Sequence, residues 1–471
     1  VSSTPLQAQP SIPPQPQTST PVQPHHAVRA SGTHRLVIVG GGAGGLELAT
    51  RLGDRLGSLR SGRRARVTLV DLNATHIWKP LLHEVAAGSM DPNTHQIAYA
   101  AQASWHHFEF QQGALTGVDR AQRRIQVGEV RGEDGELILP AREIPYDTLV
   151  LAVGSVTNFF GVPGAAVNAL ALDTAAQAER FRRRLLAACM RAQANRMTAS
   201  DGARGVSVVI IGAGATGVEL SAELRTTAQV LAAYGIHDLD PAHDVRIHLI
   251  EAGPRVLPAL PDRVSGGITR LLGRLDVDVL TGERVTEVAP ECVRMASGRE
   301  IASDLTVWAA GIAAPPVTAQ LQGLTLNRLG QIEVEPSLQV KGDPDIFALG
   351  DCAACAWPET KGWVPPRAQA AHQQADHLVQ AIERRLAGRP LRPFRYRDFG
   401  SLVSLGDYSA VGNLMGGVIA GSFLVEGLFA RLMYASLYRM HMRALLGFWG
   451  MVVDAISHWL RRTTHPRVKL H

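Results

Sequence analysis

The sequence is poor in cysteine and aromatic residues and has no long apolar run. Four cysteines in 471 residues (Cys189, Cys292, Cys352 and Cys355) cannot staple a fold of this size, which excludes a disulfide scaffold. Free thiols suit a reducing compartment, so the cytoplasm is the default expectation. The longest apolar stretch, Ala444 to Ile456, is thirteen residues long and contains Asp454. That is short of the ~20 apolar residues that span a bilayer. Residues 1–33 contain no acidic residue and no apolar periodicity, but seven prolines between Pro5 and Pro24. Such a segment buries too little surface to order itself, and its prolines disfavour a secretory or transit helix, so a disordered tail is expected. No basic run interleaved with aromatics and no zinc-finger spacing occurs, which removes nucleic acid from the expected partners.

The rest is the composition of a globular protein of two or three domains, 46% hydrophobic and 19% charged. The formal charge of +5 is concentrated at one end: from Ala430 to His471 there are seven Arg and Lys against Asp454 alone.

From Arg35 a regular pattern begins. A strand over Leu36 to Val39 leads into a glycine turn, a helix from Leu46, and a strand over Val67 to Val70 that ends in Asp71. The same order recurs as a strand over Val206 to Ile211, a glycine turn, a helix from Val218, and a strand over Val245 to Ile250 that ends in Glu251. The turns carry Gly40, Gly42 and Gly45 in one copy and Gly212, Gly214 and Gly217 in the other. In such a turn the first glycine permits a tight bend and the second a close approach to pyrophosphate. The third lets the helix pack closely, with its N-terminus facing the phosphates. Two βαβ units therefore predict two bound dinucleotides.

Asp71 and Glu251 stand where a carboxylate accepts hydrogen bonds from an adenosine ribose and repels an extra 2′-phosphate, which favours NADH over NADPH. Arg255, close behind Glu251, softens that preference. Two further strands end in glycine, at Gly154 and Gly311, and read as the crossings between domains. The second unit is then inserted in the first, giving residues 34–155 with 305–400, residues 156–304, and a C-terminal region 401–471. Gly350 and Asp351 follow another strand, where Asp351 can bond the ribityl hydroxyls of a flavin, and an alanine-rich stretch after them is expected to begin a helix. Cys352 and Cys355 lack a second Cys pair or a His cluster, so no metal site is expected.

At 100° per residue, Phe448 to Arg462 places Trp449, Val453, Ile456 and Leu460 on one arc and Asp454, Ser457 and Arg461 on the other. This is an amphipathic helix with tryptophans on its apolar side and basic residues after it. The commoner fate of such a helix is to pack on its own core; the alternative is to lie in a membrane interface.

With these motifs in hand the chain resembles the type II NADH:quinone oxidoreductases of bacteria. The resemblance runs through VGGGAGGLELA from Val39, IWKPLLHEVAAG from Ile77, IGAGATGVELSAEL from Ile211, VWAAGIAAP from Val307, DIFALGDCA from Asp345 and PPRAQAAHQ from Pro365. It implies an α/β fold of two Rossmann-type domains, the second inserted in the first, plus a C-terminal membrane-associating region. It implies FAD on the first turn, with Lys79 to Leu82 near the flavin ring, and NADH as substrate on the second. Glu219 would sit by the reacting pair, and Gln369 and Gln373 would line a quinone pocket.

The implied reaction passes a hydride from NADH to FAD and two electrons to a membrane quinone, without proton pumping. The implied location is peripheral, on the cytoplasmic face of a bacterial inner membrane, with the bilayer surface as a partner and a homodimer as the expected assembly. Three rivals stand beside it: a non-catalytic redox sensor, a reductase of a soluble electron carrier, and a sulfide:quinone or disulfide oxidoreductase. The last would need a reactive cysteine pair at the flavin.

Overall fold

The computed structural model describes residues 33–58, 62–198, 205–233, 244–405, 410–415, 422–426 and 428–464. The expected disordered tail, up to residue 32, and the closing basic residues Arg467 and Lys469 lie outside the described residues.

Both βαβ units are present. In the first, the His34–Val39 strand leads into the Ala43–Leu52 helix and the Ala65–Asp71 strand; in the second, Val206–Ile211 leads into Ala215–Ala233 and Val245–Glu251. Both helices begin three residues before the apolar pattern does, because the glycines at the turn form the first helical turn.

Around each unit the sheet has one spatial order. In the first sheet His34–Val39 sits between Ala65–Asp71 and Thr148–Leu151, all parallel, with Glu109–Gln112 beyond on one side and Asp343–Ala348 on the other. In the second, Val206–Ile211 sits between Val245–Glu251 and Leu305–Trp308, with Val277–Thr281 and Ala169–Leu170 beyond. All six residues of Val206–Ile211 are buried, as a central parallel strand covered on both faces requires.

The register corrects one expectation. The first unit was expected to resume at residue 305, yet Leu305–Trp308 pairs with Val208–Ile211 and belongs to the second sheet. The return falls after Trp308. A buried apolar strand ending in glycine reads alike in either sheet, so only pairing assigns it. The two crossings then lie side by side, Val156 opposite Ala313 and Thr157 opposite Ile312 in an antiparallel pair.

A second correction concerns the alanine-rich stretch after Asp351. It forms no helix: Ala353–Ala354 pairs with Ile332–Glu333, Ala356–Trp357 pairs with Gly362–Trp363, and the helix begins only at Ala368. Pro358 disfavours a helical conformation at Trp357 and removes a donor from any helix running through it.

Beyond residue 400 a three-stranded antiparallel sheet (Ser401–Ser404, Ala410–Met415, Ser422–Glu426) precedes the Leu428–Thr464 helix, which breaks at Gly447 with φ of 71°. The amphipathic segment from Phe448 thus starts where a left-handed glycine starts it. No described helix is long and apolar enough to cross a membrane.

Candidate dinucleotide sites and the residues between them

The two turns are built alike at the level of single atoms. Gly40 and Gly212 have φ of 105° and 104°, where a side chain is strained. A Cβ on Gly45 would lie 1.9 Å from the Gly40 carbonyl oxygen, and one on Gly217 would lie 1.9 Å from that of Gly212. Both glycines are demanded by close packing of helix on turn. Gly42 and Gly214 differ: a Cβ on either meets nothing within 4 Å. No neighbour in the fold requires glycine there, and the open space lies at a helix N-terminus, where backbone N–H groups lack intrahelical partners. Such an opening could receive an anion.

The acids at the strand ends also match. Asp71 accepts hydrogen bonds from the Gly41 amide at 2.6 Å and the Asn73 amide at 2.7 Å. Glu251 accepts from the Ala213 amide at 2.8 Å and the Gly253 amide at 2.8 Å. Each carboxylate ties its strand end to the second residue of its own glycine turn. Burial pushes the Asp71 carboxyl up, opposed by the donors of Gly41 and Asn73. Arg255 does not reach toward Glu251 in any described bond. Its guanidinium donates to the Leu260 and Pro258 carbonyls and pairs with Asp262 at 3.0 Å.

Lys79, Gly154 and Asp351, far apart in sequence, are drawn together. Lys79 Nζ donates to the Ser155 carbonyl at 2.8 Å and lies 3.2 Å from Asp173. Ser155 Oγ donates to Asp351 Oδ2 at 2.7 Å. Gly154 and Gly350 both have positive φ, and the Gly350 amide donates to the side chain of buried Gln374 at 2.7 Å. Gly311, also at positive φ, lies against Phe160, whose ring a Cβ there would meet at 2.4 Å. Ser155, Asp173 and Gln374 escaped sequence reading because their roles depend on contacts from 24 to 196 residues away.

Glu219 is buried on the helix after the second turn. Its Oε1 accepts from the Ser404 amide at 3.0 Å, and its Oε2 lies 3.6 Å from His83 Nδ1. Burial pushes the His83 imidazole down to about 4. The site therefore joins the second unit, the segment after Lys79 and the C-terminal sheet.

Gln369 and Gln373 do not stand free on an exposed helix. Gln369 donates to Asp398 at 3.2 Å and to the Gly400 carbonyl at 2.9 Å, while Gln373 donates to the Arg397 carbonyl at 2.8 Å and accepts from its amide at 2.9 Å. Both amides hold the Arg397–Gly400 segment.

All four cysteines are free and buried. Burial pushes Cys352 up to about 12 and Cys355 and Cys189 up to about 11, so these thiols stay protonated and are poor nucleophiles. A dithiol reaction has no support here. No group of three His, Cys, Asp or Glu poised for a metal occurs among the described residues.

On the C-terminal helix, Trp449 is 77% exposed and Val453 66%, with Phe448, Ile456 and Leu460 also exposed. Asp454 is half-buried and raises the Tyr438 hydroxyl's pKa, after burial, the larger cause. The apolar arc faces outward, the reverse of a helix packed on its own core.

Comparison with known proteins identifies the family. The family model for pyridine nucleotide-disulphide oxidoreductases matches residues 34–375. The type II NADH:quinone oxidoreductase of Haemophilus influenzae is 42% identical over 446 residues, covering 93% of this chain and 99% of that protein. A type II NADH:quinone oxidoreductase of Mycobacterium tuberculosis is 30% identical over 444 residues, covering 89% and 87%. The NDH2 of Plasmodium falciparum, solved in complex with NADH, shares the fold with a TM-score of 0.76 at 18% identity, over 93% of this chain and 99% of that one. The chain belongs to the type II NADH:quinone oxidoreductases, within the pyridine nucleotide-disulphide oxidoreductases.

Proposed function

We propose that this chain transfers a hydride from NADH, held on the turn at Gly212, to FAD held on the turn at Gly40, and that two electrons then leave to a membrane quinone. The observation that carries this reading is the pair of turns with matching backbone geometry, each with open space at its second glycine and a carboxylate at its strand end. When bound, FAD would supply the two-electron chemistry of the reaction.

The protein's own groups bind and align. Gly40, Gly42 and Gly45 admit the pyrophosphate, and Asp71 holds the adenosine end. Lys79, Gly154, Gly350 and Asp351 belong to the ribityl and ring end, where Ser155 keeps Asp351 oriented. Gly212, Gly214, Gly217 and Glu251 receive NADH, and Gly311 sits at the second crossing. Glu219 is a buried carboxylate that sets the position of the nicotinamide relative to the Ser404 strand. Gln369 and Gln373 shape the quinone approach through the Arg397–Gly400 segment they hold.

The exposed arc of Trp449, Val453 and Ile456 lies in the bilayer interface, on the cytoplasmic face, and brings the site to a lipid-dissolved substrate. A homodimer completes the proposal, to be tested by sedimentation. The central experiment is an anaerobic absorbance titration of the purified protein. NADH should bleach the flavin band within seconds and a quinone analogue should restore it. An unchanged spectrum would reject the reading.

A further inference from the structure

Beneath the first glycine turn lies a cluster of buried imidazoles that the proposed reaction does not use. His76 and His441 meet through their Nε2 atoms at 2.9 Å, and both side chains are buried. The other nitrogen of His76, Nδ1, lies 2.9 Å from the carbonyl oxygen of Gly41. Gly41 belongs to the turn itself: its amide donates to Asp71 at 2.6 Å, and its carbonyl also accepts from the Tyr99 hydroxyl at 2.8 Å.

The partners dictate the tautomers. A carbonyl only accepts, so His76 carries its proton on Nδ1. Burial holds both rings neutral, His76 down at about 4 and His441 well below the usual imidazole range. His76 Nε2 is then an acceptor and His441 Nε2 the donor. The chain runs in one direction, from His441 to His76 to the Gly41 carbonyl. It leaves His441 Nδ1 as a buried lone pair without a partner. That loss is uncompensated, so histidine at 441 is not explained by packing alone.

His441 lies on the C-terminal helix, nearly two turns before the break at Gly447. Trp78 stacks on it with ring centroids 4.1 Å apart, and Gln102 donates to the Leu445 carbonyl at 2.7 Å. The break at Gly447 removes that carbonyl's next-turn N–H partner, which frees it for Gln102. The buried side chains of this helix among those described, His441, Met442 and Leu445, thus dock where the cofactor turn is hung.

We propose that His441 is a positioning residue, and that the His441–His76–Gly41 chain couples docking of the C-terminal helix to retention of FAD on the first turn. This rests on reading that turn as the FAD site. Coupling of this kind is reciprocal: a docked helix tightens FAD, and bound FAD holds the helix.

FAD release from the holoenzyme, followed by recovery of free-flavin fluorescence, tests the first half. His441→Leu removes the donor and should release FAD about tenfold faster. His441→Gln restores an N–H donor and should stay within about twofold of the native protein, which a merely space-filling role would not explain. His76→Leu with His441→Leu should release FAD no faster than His76→Leu alone, since the two act in one chain.

Hydrogen exchange on the unsubstituted protein tests the second half. Amides 438–446 should exchange faster after FAD is stripped, while those of Val206–Ile211 do not change. Native release rates in His441→Leu, or exchange at 438–446 indifferent to FAD, would overturn the coupling. A protein that takes up no flavin at all would instead reject the assignment of the turn.

Discussion

Glu219 and His83 face each other across 3.6 Å between Oε2 and Nδ1, both buried, with the imidazole neutral because burial pushes it down to about 4. The carboxylate is thus held by the neutral Ser404 amide and set beside a neutral ring. Glu219→Gln keeps an acceptor for the Ser404 amide, so the fold should survive. If Glu219 is the orienting carboxylate proposed above, the rate of flavin bleaching by NADH in stopped flow should fall about tenfold. A rate equal to the native one would remove Glu219 from the site.

Buried neutral histidines make stability depend on pH with a definite sign. His76 and His83 titrate near 4 when folded against an ordinary 6.5. Between those values the unfolded chain binds more protons, so stability falls as pH drops from 6.5 toward 4, by about 1.4 kcal/mol per pH unit for each histidine. Urea unfolding across this range should show that slope, and His83→Gln should lower it by one proton. A slope unaffected by His83→Gln would mean that the ring is not buried as a neutral group.

Gly42 and Gly45 are neighbours in one motif with opposite reasons for being glycine. Gly42→Ala meets no atom of the fold, so the flavin-free protein should keep its melting temperature while flavin content at purification drops. Gly45→Ala forces a Cβ to 1.9 Å from a backbone oxygen and should destabilise the flavin-free protein by roughly 1–3 kcal/mol. Calorimetry with flavin quantitation separates the two, and equal behaviour would count against Gly42 as the opening for an anion.

Glu251 spends one oxygen on each of two backbone donors. Glu251→Gln removes the charge that repels a 2′-phosphate and should narrow the preference for NADH over NADPH by about tenfold in kcat/KM. Unaltered discrimination would place the nucleotide elsewhere.

Trp449 and Val453 are exposed, so Trp449→Glu with Val453→Glu should leave the unfolding free energy within about 0.5 kcal/mol of the native value. Liposome flotation should be lost while NADH oxidation with a water-soluble acceptor persists. Retained flotation would sink the interfacial helix. Substitution is a cleaner test than truncation before Ala444, which would also remove the Leu445 carbonyl that Gln102 holds.

Local chemistry explains what could be read in advance. The glycine turns, their flanking strands and the acids Asp71 and Glu251 depend on residues a few positions apart, and backbone sterics impose the same requirement wherever the turn occurs. The apolar arc of the C-terminal helix is likewise a property of spacing. Leu305–Trp308 was legible as a buried strand but not as a member of the second sheet, because an apolar run carries no label for its neighbour. The alanines after Asp351 have high helix propensity, and a partner at Ile332–Glu333 with Pro358 close behind overrides it.

From the sequence alone come two dinucleotide turns, their order along the chain and an amphipathic end, because each is set by short-range periodicity and by positions only glycine can occupy. The tertiary structure decided which residues of distant segments come into contact: Lys79 with Ser155 and Asp173, Glu219 with His83 and Ser404, His441 with His76 beneath Gly41. It also decided that the apolar arc faces outward rather than inward. Those are long-range contacts, fixed by how the elements pack and by which buried polar atoms find partners.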